Sequence, residues 1–399
     1  MNFIIFCLVL VAALSLALRT NVNSLYREAQ IKSNKKLRSA SLPIHYVYCF
    51  VLWSLICAII IASSSFSAFT KVFLVLVFAS VSFFLARFFY LKNFNSKKHI
   101  EKAGTLLLSI TAGIGILITV AITASILFEA LRFFQIVSPL EFLFGTVWNP
   151  QTATTAEQSV GQSAFGIVPV FLGTLLITLI AMAVAVPIGI MAAIYLCLYA
   201  KSKTRDYLKP ILEILAGVPT VVYGYFAVIT IAPFFKTVFS AMGLNIASES
   251  ALAAGFVMGV MIIPFILSLT DDALNSVPQA LKDGALALGS TKSETIKKVV
   301  LPSAMPSIVG AVILAVSRAI GETMIVVMAA GLVAKLTFNP LDSVTTATAQ
   351  IVTLLVGDQE FNSPKTLAAF ALALTLFVFT FIFNIVALVV IKNYKKKYG

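Results

Sequence analysis

Nine apolar segments recur along the chain, at about 3–18, 44–62, 72–91, 105–128, 167–199, 211–235, 251–270, 307–333 and 366–391. A helix needs roughly 20 apolar residues to cross about 30 Å of hydrocarbon. Lipid offers backbone N–H and C=O groups no partner, so a spanning segment must satisfy its own. The expected fold is an all-α polytopic membrane protein with about nine transmembrane helices. Composition closes the soluble alternative: 60% of the 399 residues are apolar and 11% charged, against roughly 45–50% and about 25% in soluble chains. Cys7, Cys49, Cys57 and Cys197 all sit inside apolar runs, so no disulfide framework is expected. His45 and His99 stand alone, which argues against a His/Cys metal cluster.

The basic residues set the expected orientation. Loop 19–43 carries six Lys/Arg, and loops 92–104, 200–210, 271–305 and the tail after Ile391 carry four each. The alternate loops carry only Lys71, Arg132, Lys236, Lys335 and Lys365, a split of 22 against five. By the positive-inside rule the amino terminus is expected outside and the carboxyl terminus in the cytoplasm. Spread over five loops, these charges read as orientation signals aided by anionic lipid headgroups, not as the clustered face of a nucleic-acid binder. Met1–Leu18 lacks a basic residue before its apolar run, which fits an uncleaved anchor better than a signal peptide. The expected organisation is a three-helix extension over 1–104, a helix and external loop over 105–165, a core over 166–391 and a basic tail over 392–399.

Loop 271–305 reads as two short helices. Ser276 with Gln279 has capping-box spacing, Val277, Leu281, Ala285 and Leu288 share one apolar face, and Gly289 is placed to end the first helix left-handed. Thr291 with Glu294 makes a second capping box, and Leu301-Pro302 is expected to close the second helix. Such helices suit docking onto a partner, although an element lying flat on lipid would look similar.

Arg318 and Glu322 stand in an otherwise apolar segment. Counted from Pro306 at about 1.5 Å per residue, Arg318 lies roughly 18 Å in, where a charge costs at least about 2.5–3.5 kcal/mol. On one helix the two would share a face as i, i+4 neighbours. They could form a structural ion pair, or a relay in which the guanidinium fork meets a tetrahedral oxyanion. Gly255 and Gly259 form a GxxxG suited to close packing, and Glu213 at the start of the sixth segment, with Pro187 and Pro219 as kinks, reads as structural.

Asp283-Gly284-Ala285, then Gly289, then Val299-Val300-Leu301-Pro302 resembles the EAA-G-I-LP loop of ABC importer permeases, with Asp for the usual Glu and Gly for the first Ala. Phe144–Pro150, Gly173-Thr174, Glu213–Gly224 and Arg318–Met324 resemble phosphate-importer permeases, and Glu322-Thr323-Met324 followed by Val326-Val327-Met328 resembles their PstC type. The match covers about 140–391. It implies a type I ABC importer permease core and a coupling loop seated in a cytoplasmic ATPase through Asp283, Gly284, Ala285, Gly289, Leu301 and Pro302. It further implies a substrate path lined by Arg318 and Glu322, and no cofactor in this chain, since ATP and Mg belong to the ATPase. The implied partners are a PstA-type permease, a PstB-type ATPase dimer and a periplasmic phosphate-binding protein. The implied location is the bacterial inner membrane. A permease for another oxyanion, or the PstA-type subunit itself, would share much of this pattern. A secondary transporter would not need the docking loop, and no G-x-x-x-x-G-K-[ST], H-E-x-x-H or G-x-S-x-G motif suggests an enzyme.

Overall fold

In the computed structural model Val77 and residues 96–150, 165–356 and 363–398 are described. The expected segments at 3–18, 44–62 and, apart from Val77, 72–91, and the polar stretch 151–163, lie outside them. The chain divides into two units, residues 1–121 and 122–399. Helix α1 (Ser96–Phe134) runs from the end of the first into the second. The described residues of the second unit then form α2 (Pro139–Phe144), α3 (Val168–Ile194), α4 (Ser202–Ala216), α5 (Thr220–Phe226), α6 (Ala232–Ala241), α7 (Ala251–Asn275), α8 (Gln279–Ala287), α9 (Lys292–Thr295), α10 (Leu301–Ile320), α11 (Met324–Ala329), α12 (Ala347–Leu355) and α13 (Pro364–Tyr398). Single π turns at Tyr195–Tyr199, Ala227–Ile231 and Ile296–Val300 extend or join these helices.

Among the described residues, six helical stretches are long and apolar enough to cross a membrane: Glu101–Phe134, Val168–Tyr199, Thr220–Ala241, Ala251–Asn275, Lys292–Ile320 and Pro364–Val389. They take up the fourth to ninth expected segments, with three corrections. The sixth span starts at Thr220, not 211, because Gly217 ends α4 and Pro219, lacking an N–H, serves as the N-cap of α5. Glu213 therefore belongs to the amphipathic α4, and Pro219 is a boundary instead of a kink. The eighth span ends at Ile320 with Gly321 as its C-cap, not at 333. At its other end Leu301-Pro302 does not close a helix, for the chain runs through it from Lys292. The π turn Ile296–Val300 ends one residue short of Pro302, as Ala227–Ile231 does of Pro233. A widened turn accommodates the ring that would clash with the carbonyl one ordinary turn back.

Helices α3 and α7 cross so closely that glycine is required. A Cβ on Gly255 would lie 2.8 Å from Ile180 Cβ, one on Gly259 2.8 Å from the Ala181 carbonyl, and one on Gly189 2.9 Å from Ile266 Cβ. The GxxxG is thus a packing device, as small residues are where lipid supplies no hydrophobic drive for helix association. Around the crossing lie Ile177, Ala185, Met258, Ile262, Ala315 and Ile325, all buried. A second cluster packs Phe133, Phe142 and Phe165 edge to face, with centroids 5.3 and 5.4 Å apart about Phe133. Trp148 joins it, and its indole N–H donates to Gln350 Oε1 at 2.9 Å.

Gly173-Thr174 has a local reason. A Cβ at Gly173 would overlap the Thr345 carbonyl, and Thr174 Oγ1 accepts the Ala347 N–H at 3.0 Å, capping α12. The start of α7 is satisfied likewise: Ala251 and Leu252 N–H donate to the Asp342 and Pro340 carbonyls, and Ala253 N–H to Ser250 Oγ. Segment 331–346 is therefore stitched to α7 by main-chain bonds that would otherwise be orphaned.

Candidate functional site

The hairpin that follows α7 is α8, Gly289 and α9. Pro278 is the N-cap of α8, whereas Ser276 caps the end of α7, so the expected Ser276–Gln279 box does not form. Gln279 Nε2 donates instead to Asp283 Oδ1 at 3.0 Å, one turn along α8. Gly289 sits at φ +84°, with its N–H on the Leu286 carbonyl and the Ser290 N–H on that of Ala285. Both halves of the Thr291–Glu294 capping box are present. Of the expected apolar face only Val277 is buried; Leu281 and Leu288 are exposed, the latter by 89%. A Cβ at Gly284 would meet nothing within 4 Å, so its departure from the resemblance costs only helix propensity, roughly 1 kcal/mol. Leu301 packs against the buried Leu274, Val300 and Ala304, which fastens the hairpin to α7 and α10.

Where the hairpin leaves α7, Asp271 is 2% exposed and holds two cations of α4. Arg205 Nη2 lies 3.0 Å from both carboxylate oxygens, and Lys209 Nζ lies 2.9 Å from Oδ2. The hydrogen bond to Asp271 raises the Lys209 ammonium above the usual lysine range despite partial burial. This clamp was not anticipated. Its only trace in the sequence is an Asp at the edge of an apolar run and two bases four apart on an amphipathic stretch, 62 and 66 residues away.

Beside the clamp a cavity of about 210 Å³ opens between α4, α7 and α10, lined by Lys209, Glu213, Met261, Phe265, Ser268 and Arg318 among others. The Arg318 guanidinium lies 5.2 Å from the Phe265 ring centre, a cation–π contact that leaves its hydrogen-bond donors free for another partner. Among the described residues no carboxylate lies within ion-pair distance of it. Arg318 and Glu322 do not share a helical face, because α10 ends at Ile320. Glu322 Oε1 instead accepts the Met324 N–H at 3.2 Å at the start of α11, and its carbonyl accepts from Thr348 Oγ1 at 2.8 Å. The structure thus brings Arg318 together with Lys209 and Glu213, and gives Glu322 to a helix start.

The family model for binding-protein-dependent transport system inner membrane components matches residues 185–396, over half of the chain. The chain belongs to that family. It is therefore a multi-pass membrane transport subunit, an ABC permease and not an enzyme. The permease is 34% identical over 285 residues to the probable ABC transporter permease protein YqgH of Bacillus subtilis, covering 71% of this chain and 88% of that one. It is 32% identical over 264 residues to the phosphate transport system permease protein PstC of Mesorhizobium japonicum, covering 62% and 76%. Its identity to PstC 1 of Mycobacterium tuberculosis is 33% over 274 residues, covering 62% and 80%. The matched family region contains the Asp271 clamp, the hairpin, the cavity and Arg318.

The hairpin of the permease invites a direct test. Gly289→Val places a β-branched side chain at φ +84°, a region such residues rarely adopt. Transport and transport-coupled ATP hydrolysis are expected to fall together, by roughly tenfold for a local distortion of about 1.4 kcal/mol, while membrane insertion persists. Normal stimulated hydrolysis in assembled Gly289→Val complexes would refute a coupling role.

Proposed function

We propose that this permease is one of two membrane-spanning subunits of an ATP-driven importer that moves inorganic phosphate across a bacterial inner membrane by alternating access. A PstA-type permease pairs with it across the path, and a periplasmic phosphate-binding protein delivers the anion to an outer mouth formed partly by 129–165 and 334–365. Two copies of a PstB-type ATPase bind ATP and Mg; their closure pulls on the hairpin through Asp283, Gly284, Ala285 and Gly289, with Leu301 and Pro302 passing the movement into α10. The core is 166–391, preceded by the 1–104 extension.

The observation that carries this reading is Arg318. A guanidinium stacked on Phe265 at a cavity wall, with no carboxylate within ion-pair distance among the described residues, is a costly arrangement inside a membrane segment unless an anion visits it. A planar fork that never loses its charge suits a tetrahedral oxyanion. The names of the PstC relatives favour phosphate over another oxyanion. Glu322, whose carboxylate and backbone carbonyl accept from Met324 N–H and Thr348 Oγ1, is the second residue of the same path.

Radiolabelled phosphate uptake in a deletion strain, with and without this chain, tests the reading. Uptake is expected only with the chain present and is expected to resist excess sulfate. Uptake unchanged by the chain would overturn the assignment, and displacement by sulfate at equal concentration would move the substrate to another oxyanion.

A further inference from the structure

We infer that Lys209 is a second, exchangeable cation on the anion's route, and that Asp271 is the carboxylate that holds it while the route is empty. The inference rests on Arg318 being an anion contact. Lys209 and Arg318 line one cavity from two different helices. Phe265, under Arg318, and Asp271, which holds Lys209, are six residues apart on α7, roughly 9 Å at 1.5 Å per residue. An anion leaving Arg318 toward the hairpin end of α7 therefore meets Lys209 as the next cation on the same wall.

Three features make Lys209 the mobile partner. Arg205 Nη2 already reaches both oxygens of Asp271 at 3.0 Å, whereas Lys209 touches only Oδ2. When Lys209 leaves, the buried carboxylate remains paired, so the large cost of an uncompensated buried charge does not arise. An ammonium on a four-carbon stem carries three rotatable donors and can turn from one oxyanion to another, which the rigid guanidinium fork does less readily. Glu213, four residues on along α4, faces the same cavity; it offsets part of the positive charge, so a tetrahedral oxyanion is passed on instead of trapped. Carboxylate and substrate are then competing acceptors for one ammonium.

The test uses the assembled transporter in membrane vesicles, with the chain's four native cysteines replaced by serine and Ala216→Cys introduced on the cavity wall. A negatively charged methanethiosulfonate is expected to modify this position at least about tenfold faster than a positively charged one of similar size, as a focused positive field requires. Lys209→Met is expected to bring the ratio close to one and Lys209→Arg to preserve it, each at matched abundance of assembled complex. Inorganic phosphate is expected to slow the modification with Lys209 present and to lose that effect in Lys209→Met. An anionic preference untouched by Lys209→Met, or a cysteine that neither reagent reaches, would overturn the inference. Protection by sulfate without protection by phosphate would keep the relay and remove phosphate as the substrate.

Discussion

Arg318→Gln is expected to abolish uptake, a loss of at least about a hundredfold, in complexes that still assemble. Gln keeps a similar length and a polar end but no charge, and an anion inside a membrane segment depends on a fixed positive centre to offset its desolvation. The loss is expected to persist in the double variant Arg318→Gln, Glu322→Gln. Had the two residues formed a self-satisfying pair, removing both charges would relieve an uncompensated one and restore function. The geometry speaks against that, since Glu322 accepts the Met324 N–H beyond the end of α10. Glu322→Gln alone retains an acceptor oxygen for that N–H, so its effect on assembly is expected to be small. Uptake at matched membrane abundance decides the matter: near-wild-type transport by the double variant would make Arg318 structural.

The second large effect is expected at Arg205. Arg205→Met leaves Asp271, 2% exposed, with Lys209 on one oxygen only. Lys209 remains on the carboxylate, so the cost is that of lost hydrogen bonds to a charged group, about 1.5–3 kcal/mol, and not of an unpaired buried charge; both cations are a third exposed, and screening by solvent places it at the low end of that range. The abundance and thermal stability of the assembled complex are expected to fall accordingly. Asp271→Asn in the same chain is expected to recover most of the loss, because a neutral amide needs no counter-charge. A double variant no more stable than Arg205→Met would show that the clamp does not hold α4 to α7.

How far the sequence could be read depended on whether a signal was local. The apolar runs that became α3, α7 and α13 were legible because lipid demands an uninterrupted stretch. The run at 211–235 was misjudged at its start because the apolar half of the amphipathic α4, Ile211 to Ala216, runs straight on toward the span; Gly217-Val218-Pro219 carried the break. Glu322 was placed on a helix because the apolar pattern continues past it, although Gly321 marks the end of α10. Gly289 and the Thr291–Glu294 box were legible, since caps are written within four residues. The Asp271 clamp was not, because its partners lie 62 and 66 residues away and nothing local distinguishes a buried Asp from the solvated one beside it, Asp272.

The π turn at Ile296–Val300 gives the hairpin an angular setting. One residue more than an ordinary turn swings everything beyond it by about 100° around the helix axis. The residues before this turn, α9, and those after it, α10 with Arg318, thus belong to one continuous rod, Lys292–Ile320, whose two ends point in directions fixed by a single inserted residue. Along the rod, Ile296, Val300, Ala304, Ile308, Ala311, Ala315 and Ala319 stay buried on one side. The joint therefore re-aims the exposed end without unseating the packed one. Force applied at the hairpin enters the membrane segment along a line that the sequence sets by residue count, independently of how the segment itself is packed.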